Sequence, residues 1–88
     1  MPNPQLIYRY TTVVHGPGGQ HYHPQAWGYQ RPDGRWVGWV EFHPMGSRGE
    51  VLTTAQETTQ PDYEALEYWA SGLEPIYFEG AFWRAEAA

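Results

Sequence analysis

Between Arg35 and Phe42 the chain alternates as a β-strand does, yet large apolar side chains fall on both of its faces. One face carries Trp36, Gly38, Val40 and Phe42, and the other Arg35, Val37, Trp39 and Glu41. A strand that is apolar on both sides is stable only when both sides are covered, so this segment is expected at the centre of a sheet with something packed on each face. The cover is hard to supply from within. The chain has 88 residues, which fits a single domain over 1–88, and a chain of this size buries only about 60–65% of its unfolded surface. Aromatic residues make up 17% of it, and each ring side chain can bury about 150–250 Å². They are spread over nearly every predicted element, too many for one small core. Some are expected at a subunit or partner interface.

The remaining elements follow from local chemistry. Leu6 to His15 is rich in β-branched and aromatic residues and reads as a strand, closed by the loop Gly16-Pro17-Gly18-Gly19. Ala26 to Gln30 is a second strand. Arg31-Pro32-Asp33-Gly34 supplies a turn, with proline at its second position and a glycine for the positive φ that follows. After the central strand, Glu50 to Glu57 reads as a fourth. Thr59 is expected to open a helix over about Pro61 to Ser71, with Asp62 three residues on as a capping-box variant and Gly72 as terminator. Its apolar stripe is Tyr63, Leu66, Trp69, Ala70 and Leu73. Ile76 to Arg84, dense in aromatics, reads as a last strand, with Gly80 at a bulge or a close backbone approach. The expected fold is α+β. It is a curled antiparallel sheet of four to five strands with one helix packed on one face, in the order β-β-β-β-α-β. The face opposite the helix is left for a second copy of the chain to cover.

The hairpin Ala26-Trp27-Gly28-Tyr29 and Trp36-Val37-Gly38-Trp39-Val40-Glu41-Phe42, joined at Asp33-Gly34, precedes a helix start at Thr58-Thr59 and Glu64-Ala65-Leu66. From about residue 25 to residue 80 this layout resembles the HicB-like antitoxin domain, a hairpin, third strand, helix and return strand. The resemblance implies a small homodimer that binds a protein, in that family a basic ribonuclease toxin. The family's DNA-binding extension is not expected beyond this domain, so protein rather than DNA binding is the expectation taken from the resemblance.

Charge points the same way. There are five basic and ten acidic residues, for a formal net charge of −5. Residues 1–44 balance Arg9, Arg31 and Arg35 against Asp33 and Glu41. Residues 45–88 set Arg48 and Arg84 against Asp62 and seven glutamates. Nucleic-acid affinity comes largely from neutralising phosphates with Lys and Arg, so nucleic acid is not the expected partner. A basic protein suits the acidic half, although an acidic face also serves plain solubility. The absence of cysteine excludes a disulfide framework, a thiolate metal site and a cysteine nucleophile. No segment reaches the roughly 20 apolar residues of a membrane span, and the N-terminal residues lack a signal-peptide pattern, so a cytoplasmic protein is expected.

Three sets of side chains are candidates for chemistry. His21 and His23 are two residues apart and on an extended segment point to one side, as two metal ligands require, with His15 or His43 as a third. The competing reading is four solvated histidines in and around a Gly/Pro-rich loop. Trp27, Trp36, Trp39 and Trp83 all fall on predicted strands and offer either a stacking surface for a small ligand or an interface. Glu41 and Glu79, if they shared an apolar groove, could do acid–base work. No serine sits in a nucleophile motif, and the glycine-rich loop lacks the Lys-Ser/Thr of a phosphate-binding loop. No cofactor is expected, and a role as an enzyme is not. The two readings carried forward are a homodimeric protein-interaction module and, as the alternative, a small-ligand or metal-binding domain that uses the aromatic and histidine-rich first half.

Overall fold

A computed structural model of the chain describes residues 3–87. The fold is α+β, an open antiparallel sheet of seven strands with two helices. The strands are β1 (Gln5–Arg9), β2 (Val14–His15), β3 (His21–Gln30), β4 (Trp36–Pro44), β5 (Leu52–Thr53), β6 (Thr58–Gln60) and β7 (Glu86–Ala87). The helices are α1 (Tyr63–Ser71) and α2 (Pro75–Arg84). The sheet runs β1-β3-β4-β5-β7, with β2 also on β3 and β6 also on β4.

The long hairpin β3–β4 is the frame, in register from Tyr22 opposite Pro44 to Gln30 opposite Trp36. Its turn is the expected one. Gly34 has φ of +90°, and the amides of Gly34 and Arg31 bond the carbonyls of Arg31 and Arg35 at 2.9 and 2.7 Å. The Asp33 carboxylate accepts from the Arg35 amide at 3.0 Å.

The outer strands are short for a physical reason. Pro24 lies inside β3 and has no N–H. Its carbonyl points to the β1 side, where it accepts from the Tyr10 amide at 3.4 Å. Its ring nitrogen faces the same side and offers nothing to pair. The ladder breaks there. β1 pairs with β3 as far as Arg9 opposite Gln25, and β2 resumes with Val14 opposite Tyr22. The single strand expected over Leu6 to His15 is therefore two, and β3 begins at His21 rather than Ala26. On the other edge, the expected strand over Glu50 to Glu57 is reduced to Leu52–Thr53. Beyond it, the buried Thr54 hydroxyl accepts from the Val40 amide at 3.0 Å and donates to the Ala55 carbonyl at 2.8 Å. The Thr54 amide also donates to the Val40 carbonyl at 2.9 Å, so backbone and side chain together satisfy both polar groups of Val40.

Both helices lie on one face of the sheet. α1 is capped by Asp62, whose carboxylate accepts from the Ala65 amide at 2.8 Å. Thr59 belongs to β6 instead, which corrects the expected helix start. The fully buried Leu66 sits over two glycines paired across the hairpin, Gly28 and Gly38. A Cβ on Gly38 would lie 2.7 Å from Leu66, and one on Gly28 would lie 2.6 Å from the Val37 carbonyl oxygen and 2.8 Å from Leu66. The missing side chains let α1 approach the sheet closely.

The segment Ile76 to Arg84 is the largest correction: it is helix, not strand. Propensity misleads here because Ile, Tyr, Phe and Trp favour strands. Burial decides instead. Phe78, Ala81 and Phe82 recur at helical spacing and pack on Val14, Tyr22, Val40 and Phe42, and Pro75 presets the first turn. The fold thus has two helices where one was expected. The return strand implied by the HicB-like resemblance falls on α2. Glu57 ties α2 back to the sheet edge: it accepts from the Tyr77 hydroxyl and from Arg84 Nη2, the latter at 2.6 Å. Neither helix is long and apolar enough to cross a membrane.

The open face of the sheet as candidate interaction surface

Alternation along the strands sorts the side chains. Tyr22, Pro24, Ala26 and Gly28 of β3 and Trp36, Gly38, Val40 and Phe42 of β4 point to the helices. Their neighbours His21, His23, Gln25, Trp27 and Tyr29, and Val37, Trp39, Glu41 and His43, point the other way. No element of the described residues covers this second face.

The open face is apolar at its centre. Trp27 is directly opposite Trp39 on β4 and Leu6 on β1, and Tyr29 is opposite Val37. The Tyr29 and Trp39 rings lie 5.9 Å apart, tilted by 57°. Val37 is buried by its neighbours, whereas Leu6, Trp27, Tyr29 and Trp39 are only half-buried. Each indole N–H is tied down on the sheet: Trp27 Nε1 donates to Gln25 Oε1 at 2.9 Å, and Trp39 Nε1 to Glu41 Oε2 at 3.0 Å. Glu41 Oε1 meets His43 Nε2 at 2.9 Å. The rings therefore stand fixed, with their polar atoms satisfied and their apolar surfaces turned outward. Such an array suits contact with another flat apolar surface better than hydrogen-bonded recognition of a polar ligand.

All four histidines lie at one end of this face. His15 is opposite His21, with ring centroids 4.4 Å apart, and His23 is opposite His43. His21 and His23 do share a side, as their spacing requires, but each is set against a different neighbour. Among the described residues no group of three or more His, Cys, Asp or Glu is arranged to hold a metal ion.

The four candidate tryptophans do not form one site. Trp27 and Trp39 meet on the open face. Trp36 is buried on the helix face, its ring 5.1 Å from that of Tyr63. Trp83 is on the outer side of α2, 79% exposed, beside a cleft of about 320 Å³ that Val13, His15 and Glu79 also line. Glu79 is on α2 and Glu41 on the opposite side of the sheet, so the two carboxylates share no groove. The acid–base pairing is overturned. The sequence signal for the full open face is the parity of residues 21–29, which continues through Pro24. Comparison with protein families, with curated proteins and with solved structures gave no match.

Proposed function

We propose that the chain is a protein-interaction module that works as a homodimer, two copies packing open face to open face. The observation that carries this reading is the placement of both helices on one side of the sheet, which leaves Trp27 and Trp39 half-buried on a face that no element of the described residues covers. A two-fold interface is self-complementary, so an apolar centre with a polar border fits it. Here the centre is Leu6, Trp27, Tyr29 and Trp39, and the border includes Arg9, Glu41 and the histidines. The HicB-like resemblance over about residues 25–80 points to the same reading through its hairpin, whereas its helix entry at Thr58-Thr59 lies in β6 and its return strand falls on α2.

Tyr29→Glu places a charge in the middle of the open face, and Tyr68→Glu places one on the outer side of α1. Light scattering after size exclusion is expected to show dimer for the wild type and Tyr68→Glu, and folded monomer for Tyr29→Glu. Dimer retained in Tyr29→Glu would overturn this interface.

The alternative is a metal or small-ligand site at the histidine-rich end of the same face. Calorimetric titration with zinc separates the two readings. Heat at micromolar protein that is lost in His21→Ala would favour the metal site, and no heat would remove it.

A further inference from the structure

The helix layer carries a second surface of different character. β1 and α1 leave between them an open cleft of about 340 Å³ lined by Tyr8, Glu64, Glu67, Tyr68 and Ser71. Tyr8 and Tyr68 come from different elements and are 39% and 82% exposed. Glu64, Glu67 and Tyr68 lie within one turn of α1, so the two carboxylates stand beside a phenol ring and face another. Neither carboxylate has an ion-pair partner among the described residues, where the other arginine–carboxylate contacts are Arg31–Asp33 and Arg84–Glu57. The chain has no lysine.

We propose that this cleft receives an arginine side chain from a basic segment of a partner protein. Two aromatic walls and two unpaired carboxylates match the guanidinium group in both of its aspects. Its flat face stacks on phenol rings, and its N–H edge donates to carboxylates in pairs. An ammonium group would use the charge but not the flat face. The cleft is on the opposite side of the sheet from the surface assigned to dimerisation and does not depend on it. In a face-to-face dimer the two clefts point outward.

The test is a titration of the ¹⁵N-labelled protein with a tetra-arginine peptide, followed by amide shifts, with tetra-glutamine and spermine as comparisons. Shifts are expected to concentrate on Tyr8, Glu64, Glu67, Tyr68 and Ser71. Glu64→Gln/Glu67→Gln should weaken binding by about ten-fold, the scale of one lost charge-assisted contact. Glu74→Gln/Glu79→Gln, which removes the same charge from elsewhere, should leave it unchanged. Tyr68→Ala should weaken it by about two- to five-fold even at high salt, where stacking survives screening. Tyr68 is so exposed that its truncation leaves the fold intact, which keeps the test decisive if the double glutamate change disturbs α1. Equal losses in the two glutamine variants, shifts scattered over the acidic surface, no binding, or spermine binding the same residues as tightly would each overturn the proposal. Dimer mass is measured separately, so failure here is distinct from failure of the open-face interface.

Discussion

Thr54 shows how much one hydroxyl does at the end of a short ladder. It is 4% exposed, and its oxygen is the partner of the Val40 amide in the middle of the sheet. Thr54→Val keeps the shape and leaves that amide buried without an acceptor. The expected loss is about 1–3 kcal/mol of unfolding free energy, read by urea denaturation. Two phenols set the response to alkali. Burial raises the pKa of Tyr10, and the nearby Tyr8 and Tyr77 phenols add to it. Burial also raises that of Tyr77, helped by its hydrogen bond to Glu57. A phenol whose folded pKa lies above the unfolded value near 10 stabilises the fold fully below about pH 10. That contribution is lost as pH rises from there through the folded pKa. The melting temperature is therefore expected to fall above about pH 10, and to fall less steeply in Tyr10→Phe/Tyr77→Phe. Equal slopes would contradict the assignment.

At the scale of elements, α1 and α2 depend on glycine in opposite ways. Gly38 lies under Leu66, Thr58 and Trp69, which a new Cβ would meet at 2.7, 3.1 and 3.3 Å. Gly38→Ala is expected to cost about 1–3 kcal/mol by forcing α1 off the sheet. Gly80 is in the middle of α2 on its exposed side, where a Cβ would approach only the tip of Arg84, at 3.5 Å. Gly80→Ala is expected to stabilise by about 0.5–1 kcal/mol, since alanine holds a helix better than glycine. Thermal or urea unfolding reads both, and a destabilising Gly80→Ala would argue against α2 as a helix. The same contrast explains what the sequence made legible. The Arg31–Gly34 turn, the two-faced strand around Val37 and Trp39, and the stripe through Leu66 and Ala70 each carry a local signal that packing reinforces. For Ile76 to Arg84 the local preference is for strand, and only the core formed by Val40 and Phe42 shows that Phe78, Ala81 and Phe82 must share one helix face. Pro24 hid the first half of β3, because a proline normally marks a strand's edge. What makes it tolerable is the gap between β1 and β2, a tertiary feature. The spacing of His21 and His23 puts them on one side of an extended segment, but only their continuity with Ala26–Gln30 in β3 puts them on the same face as Trp27.

At the scale of the molecule, the aromatic surplus is met unevenly. Of the five tryptophans and seven tyrosines, only Trp36 and Tyr22 are buried. The helix layer hides one face of the hairpin and spends its own outer rings, Tyr68 and Trp83, on solvent. The open face holds Trp27 and Trp39 in fixed orientation, and a second copy of that face would take them out of water. Facing sheets pack about 10 Å apart, so two such faces can interdigitate their rings without moving the backbone. Sedimentation equilibrium on the unmodified chain, run across a wide range of concentration, tests this most directly. The account predicts a mass near twice 10.1 kDa, falling toward 10.1 kDa only on strong dilution. A mass of 10.1 kDa at every concentration would contradict it.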